Sequence, residues 1–126
     1  MLYLQRPKAA PRLENLPEHD RQVLGDRFDA HPAELTANGQ VIAWKDIDEV
    51  EVAKAARQRS LSGWLVRNVV YHEERYHVGI YMGAQEQVLT NVTLPLAQFI
   101  VQSIAYYMQT PIKYTGVEGV AAVDEK

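Results

Sequence analysis

Three groups of residues in this chain carry side chains capable of chemistry, and each has to be weighed by its spacing. His72-Glu73-Glu74-Arg75-Tyr76-His77 comes nearest to metal binding. The zinc-protease pattern H-E-x-x-H needs its histidines at i and i+4 on a helix, so that both face one ion. Here they lie at i and i+5, in a segment that reads as strand, turn and strand. A solvated hairpin tip is therefore expected, and no metal is assigned. Lys54, Arg57, Arg59 and Arg67 form the basic cluster, with Trp64 among them. Such a cluster suits an anionic lipid surface or another anionic ligand, with Trp64 inserting or stacking; the alternative is a solvated connection between strands. Asp46, Asp48, Glu49 and Glu51 are its acidic counterpart. Paired carboxylates do acid–base work only where a cleft drives their pKa values apart. An alternating strand instead sends Glu49 and Glu51 to water and leaves Asp46 to bond in a turn.

Other catalytic signatures are missing. Ser60, Ser62 and Thr90 lack a neighbouring His–acid pair, and no G-x-S-x-G elbow, Walker loop or G-x-G-x-x-G run occurs. The chain has no cysteine, which removes thiol nucleophiles, disulfides and Cys-based zinc sites together and fits a cytoplasmic protein. No enzyme and no cofactor are expected. With 126 residues, 47% hydrophobic and 23% charged, the sequence fits one soluble domain. Its net charge of -3 argues against nucleic acid as a partner.

The elements that would position these groups read mainly as β. Asn38-Gly39 separates Ala33–Thr36 from Gln40–Trp44 and favours the positive φ angles of a type I′ hairpin turn. In Ile47–Val52, Val50 and Val52 share one face, and Glu49 and Glu51 the other. Trp64–Tyr71 and Tyr76–Met82 are β-branched and aromatic runs, and Gly83-Ala84-Gln85 turns the chain into a strand over Gln87–Val92. Residues 15–25 fit either a short helix, with Asn15 as cap and Gly25 as stop, or a strand over Val23–Phe28. Met1–Pro7 carries no secretory signal.

A helix follows. Thr93 is its N-cap, Pro95 lies in its first turn, and Pro111 stops it. Ala97, Val101, Ile104 and Met108 make one stripe, widened by Leu96, Ile100 and Tyr107. Gln87–Ile112 holds no charged residue, but its glutamines, Asn91 and two prolines break it into something too short to span a membrane. Phe99 and Tyr106, seven apart, fall on the side opposite the stripe, with Gln102 and Ser103 beside them. An uncharged outer face of this kind marks a partner surface or self-association, unless the N-terminal arm or the tail folds back over it.

The stretch Leu35-Thr36-Ala37-Asn38-Gly39, followed by Trp44-Lys45-Asp46-Ile47-Asp48-Glu49-Val50 in the pattern W-x-D-I-x-x-V, resembles bacterial pleckstrin-homology-like (PH-like) domains. The resemblance covers roughly Val23 to Gln109. It implies an α+β, mainly β fold: an antiparallel barrel or two-sheet meander of six or seven strands, closed by one C-terminal amphipathic helix. It also implies a binding or scaffolding platform that is not a catalyst. In lipid-binding members, basic residues between the first two strands hold the head group, whereas Asp29-Ala30-His31-Pro32 here has no Lys or Arg.

Residues 1–22 are thus expected as an arm or short helix, 23–112 as the PH-like domain and 113–126 as a loose tail. The expected partner is a protein or a second copy, docked through Phe99, Gln102, Ser103 and Tyr106. Peripheral contact with anionic lipid through Lys54, Arg57, Arg59, Trp64 and Arg67 is the alternative, and a small enzyme of a curved-sheet fold the remote one.

Overall fold

In the structure, a computed structural model, residues 1–55 and 75–125 are described. The strand order begins with β1 (Leu2–Leu4), and a short helix α1 (Glu18–Leu24) follows the proline-rich arm. Next come β2 (Phe28–Ala30), β3 (Leu35–Ala37), β4 (Gln40–Ile42), β5 (Glu49–Lys54), β6 (Tyr76–Met82) and β7 (Gln85–Val92). The long helix α2 (Leu94–Tyr107) precedes β8 (Lys113–Gly116) and β9 (Val123–Glu125). Among the described residues, one sheet has six strands in the order β7-β6-β5-β8-β1-β9, and the other is the antiparallel set β2-β3-β4. The first sheet is mixed, because β8 lies parallel to β5, with Val50 beside Tyr114 and Val52 beside Gly116. The protein is therefore α+β and mainly strands, with no closed barrel among the described residues.

Local signals explain most of these elements. Asn38 and Gly39 have φ angles of 51° and 81°, as a type I′ turn demands, and they join β3 to β4. Val50 and Val52 are buried while Glu49 and Glu51 are only partly covered, as the alternation along β5 requires. In α2 the Thr93 hydroxyl accepts the Leu96 N–H, and Pro95 occupies the first turn. The helix ends at Tyr107, before Pro111 is reached. Residues 15–25 resolve as helix, stopped at Gly25 with φ 42°, and Pro17 stands at the N-cap where Asn15 was expected. Asn15 instead closes a 3-10 turn over Leu13–Asn15. The expected strand Trp64–Tyr71 lies outside the described residues.

Two expectations are corrected by the chain beyond α2. Residues 113–125 are not a loose tail: β8 fills the place between β5 and β1, and β9 pairs with β1. The helix therefore does not end the fold. The N-terminal arm is also tied down, since β1 pairs on both sides and the Arg6 guanidinium donates to the Met108 carbonyl at the end of α2.

The core lies between the two sheets and α2. Its fully buried members include Leu35, Trp44, Ile47, Ile80, Leu89 and Ile104. Trp44 stacks on Tyr107 at 6.0 Å and donates its indole N–H to the His31 carbonyl at 2.8 Å. From Leu96 to Tyr107 no residue of α2 is exposed. A helix covered over most of its circumference has little place for charge, which accounts for much of its uncharged sequence within a single chain. None of the described helices is long and apolar enough to cross a membrane.

Candidate functional site

The predicted outer face of α2 is divided between two surroundings. On one side the C-terminal segment lies across the helix: the side-chain amides of Gln98 and Gln102 donate to the carbonyls of Gly119 and Val120, at 3.1 and 2.9 Å. Val120 is fully buried at this contact. Gln102 is thus engaged inside the chain. Tyr106 is half-buried, with its ring edge-on to Tyr107 at 4.9 Å. Phe99 packs edge-on against Phe28 at 6.4 Å.

On the other side, Phe99, Ser103 and Tyr107 face a groove of about 630 Å³. Leu24 of α1 and Phe28 of β2 complete its apolar floor, and Leu13 and Pro11 of the arm form part of its wall. Arg21, Asp26 and Asp29 contribute charge at the rim. β2 is an edge strand of its sheet, so the groove runs beside backbone that no other described strand pairs with. Ser103 is only 4% exposed, yet it lines this groove. Of the expected interface set, Phe99 and Ser103 meet here, while Gln102 and Tyr106 do not line it.

Three of the four acidic residues, Asp48, Glu49 and Glu51, are engaged in structural hydrogen bonds. The Asp48 carboxylate accepts the Gly83 N–H at 2.6 Å, holding the β6–β7 turn. Glu51 accepts the Tyr81 hydroxyl at 2.8 Å, and Glu49 accepts the Thr115 hydroxyl at 3.0 Å, so each ties two strands. That bond to Glu51, more than burial or the neighbouring carboxylates, pushes the Tyr81 hydroxyl up to about 12. Of the basic cluster, Lys54 ends β5 in register with Tyr76 and is exposed. Arg57, Arg59, Trp64 and Arg67 lie outside the described residues, as do His72, Glu73 and Glu74. His77 is on β6, where its Nδ1 accepts the N–H of Asn91 at a β-bulge. Among the described residues no three His, Asp or Glu side chains gather in a way that could hold a metal ion.

No protein-family model, curated protein or solved structure matches this chain.

Sequence reasoning missed the contributions of α1 and β2 to the groove. Asp26 and Phe28 fall where the chain reads either as the exit of a helix ending at Gly25 or as a strand over Val23–Phe28, and Asp29 falls in the loop expected between the first two strands. One signal was available: Phe28 is a large apolar residue between Asp26-Arg27 and Asp29, a pattern that places one ring inward beside outward charges.

Proposed function

We propose that this protein is a non-catalytic PH-like interaction module that takes an extended segment of a protein partner along the edge of β2. The fold reading is supported by the order of the described elements: three antiparallel strands, three more described strands over β5–β7, and then a helix packed against both sheets. β1, β8 and β9 are additions to that pattern. A cytoplasmic location, suited to a chain without cysteine, belongs to the same proposal.

One observation carries the functional reading: an apolar floor of Leu24, Phe28, Phe99 and Tyr107 runs beside a strand edge that no other described strand pairs with. Strand addition gives a partner backbone hydrogen bonds, and the floor supplies a seat for one or two apolar side chains. Two carboxylates against one guanidinium at the rim favour a basic flank on that segment. Self-association through Phe99 and Tyr106 is the weaker form of the proposal, because both rings already pack within one chain.

The test is selection of displayed peptides on the intact chain, followed by hydrogen exchange on the complex. Peptides with an apolar anchor and a basic flank are expected to protect the amides of residues 28–30. Reversing the rim with Asp26→Lys and Asp29→Lys should weaken them about tenfold or more. Selection that yields no binder, or binders protecting a different surface, overturns the proposal.

A further inference from the structure

Apart from the groove, and sharing no lining residue with it, lies a second pocket of about 410 Å³ where the start of α1 meets the start of α2. Pro17, Leu94, Pro95 and Tyr76 give it mainly apolar walls, and His19 stands at its rim. Asp20 also lines it. This carboxylate belongs to a residue only 4% exposed, and among the described residues no hydrogen bond or ion pair reaches it. No side-chain oxygen of the described residues is both sealed from water and without a partner. The Asp20 carboxylate therefore keeps a small exposed surface, and Asp20 is one of the residues that line this pocket.

We infer that this pocket is a binding site for an organic cation, an ammonium or guanidinium group on an apolar stem, with Asp20 as its counter-ion. A carboxylate held among apolar walls is poorly hydrated, so a cation entering the pocket replaces little water and gains a charge-assisted hydrogen bond. The walls match the stem. An anion meets the Asp20 charge, and a neutral apolar molecule leaves the carboxylate without a partner. Such a cation could be a free amine or the side chain of a lysine or arginine. The site does not depend on the β2 groove, since the two share no lining residue.

The test is an amide-resolved NMR titration of the intact chain with n-butylammonium, n-butylguanidinium and the neutral isostere 1-butanol. Saturable shifts are expected at His19, Asp20, Tyr76 and Leu94 with the cations, at about tenfold or lower concentration than with the alcohol. Asp20→Asn should remove that preference. Blocked lysine and arginine amides form the last arm: tighter binding than the free amines assigns the site to a partner's side chain, and weaker binding assigns it to a small amine. Equal response to butylammonium and butanol in the wild type overturns the inference even if Asp20→Asn fails to fold. Shifts that persist unchanged in a folded Asp20→Asn also overturn it.

Discussion

The side-chain amide of Asn38 donates to the backbone carbonyl of Val88 across 2.9 Å, and so joins the turn of one sheet to the edge strand of the other. The same amide reaches the Gln87 side chain, and Arg27 donates to the Thr90 carbonyl at 3.0 Å. The two sheets are thus bridged at β7 by side chains where a closed barrel would use a backbone ladder. An edge dressed in this way is also a poor template for pairing with another chain.

Asn38 has two duties, and substitutions separate them. Its φ of 51° suits asparagine and glycine, and its amide holds β7. Asn38→Gly should lose only the bridge, about 1 kcal/mol. Asn38→Ala should lose the bridge and strain the turn, for about 2–3 kcal/mol in total. Urea unfolding of both variants checks the order, and equal losses would mean that the turn conformation contributes nothing.

Gly116 is where the β5–β8 pairing admits no side chain. Its φ is 134°, and a Cβ there would sit 2.0 Å from the Val52 carbonyl oxygen. Gly116→Ala should therefore separate β8 from β5, with a loss beyond about 4 kcal/mol. Gly119 also has a positive φ, 84°, but nothing lies within 4 Å of its would-be Cβ. Gly119→Ala should cost only the backbone strain, about 1–2 kcal/mol. Comparing the two by thermal unfolding distinguishes collision from strain.

That strand also shows where the sequence is silent. The Asn38-Gly39 turn, the alternation along β5, the limits of β6 and the Thr93 cap all act through near neighbours, so their residue types betray them. β8 and β1 are held by partners far away in sequence: Tyr3 pairs with Lys113, and Val52 with Gly116. Short strands of this kind have little periodicity of their own, and Gly116 through Gly119 reads as the start of a tail. The groove is legible only in part for the same reason. Phe99 and Ser103 declare themselves by helical spacing, whereas Leu24 and Phe28 join them only through the packing of α1 and β2 on α2.

Arg6 supplies what α2 lacks. The helix has no basic residue in its last turn, and the Arg6 guanidinium donates to the Met108 carbonyl at its C-cap. A cation at this end offsets the partial negative charge of the free carbonyls. Arg6→Ala should destabilise the protein by about 0.5–1 kcal/mol and speed amide exchange in the last turn of α2. The loss should shrink in high salt, because the contact is exposed. An Arg6→Ala chain as stable as the parent at low salt would show that the arm is held by β1 alone.

Tyr81 and Tyr114 couple the stability of the fold to alkaline pH. The Tyr81 ring lies over Gly79, within 3.2–3.3 Å of where a Cβ would stand, and this lets its hydroxyl reach Glu51 on β5. The hydrogen bond to Glu51 pushes it up to about 12, whereas burial alone pushes Tyr114 up to about 12, each from an ordinary 10.0. A folded-state pKa raised above the unfolded one means that the native chain holds more protons between the two values. The stability these hydroxyls contribute is therefore complete below pH 10 and is lost as the pH climbs from 10 towards 12. Tyrosinate absorbance should show two groups ionising near pH 12 in the folded chain and moving to about 10 in urea. Tyr81→Phe should delete one late proton and flatten the fall of stability with alkali, while Glu51→Gln should bring the Tyr81 ionisation earlier. A Tyr81 that ionises at the same pH in folded Glu51→Gln as in the parent would remove the hydrogen bond as the cause.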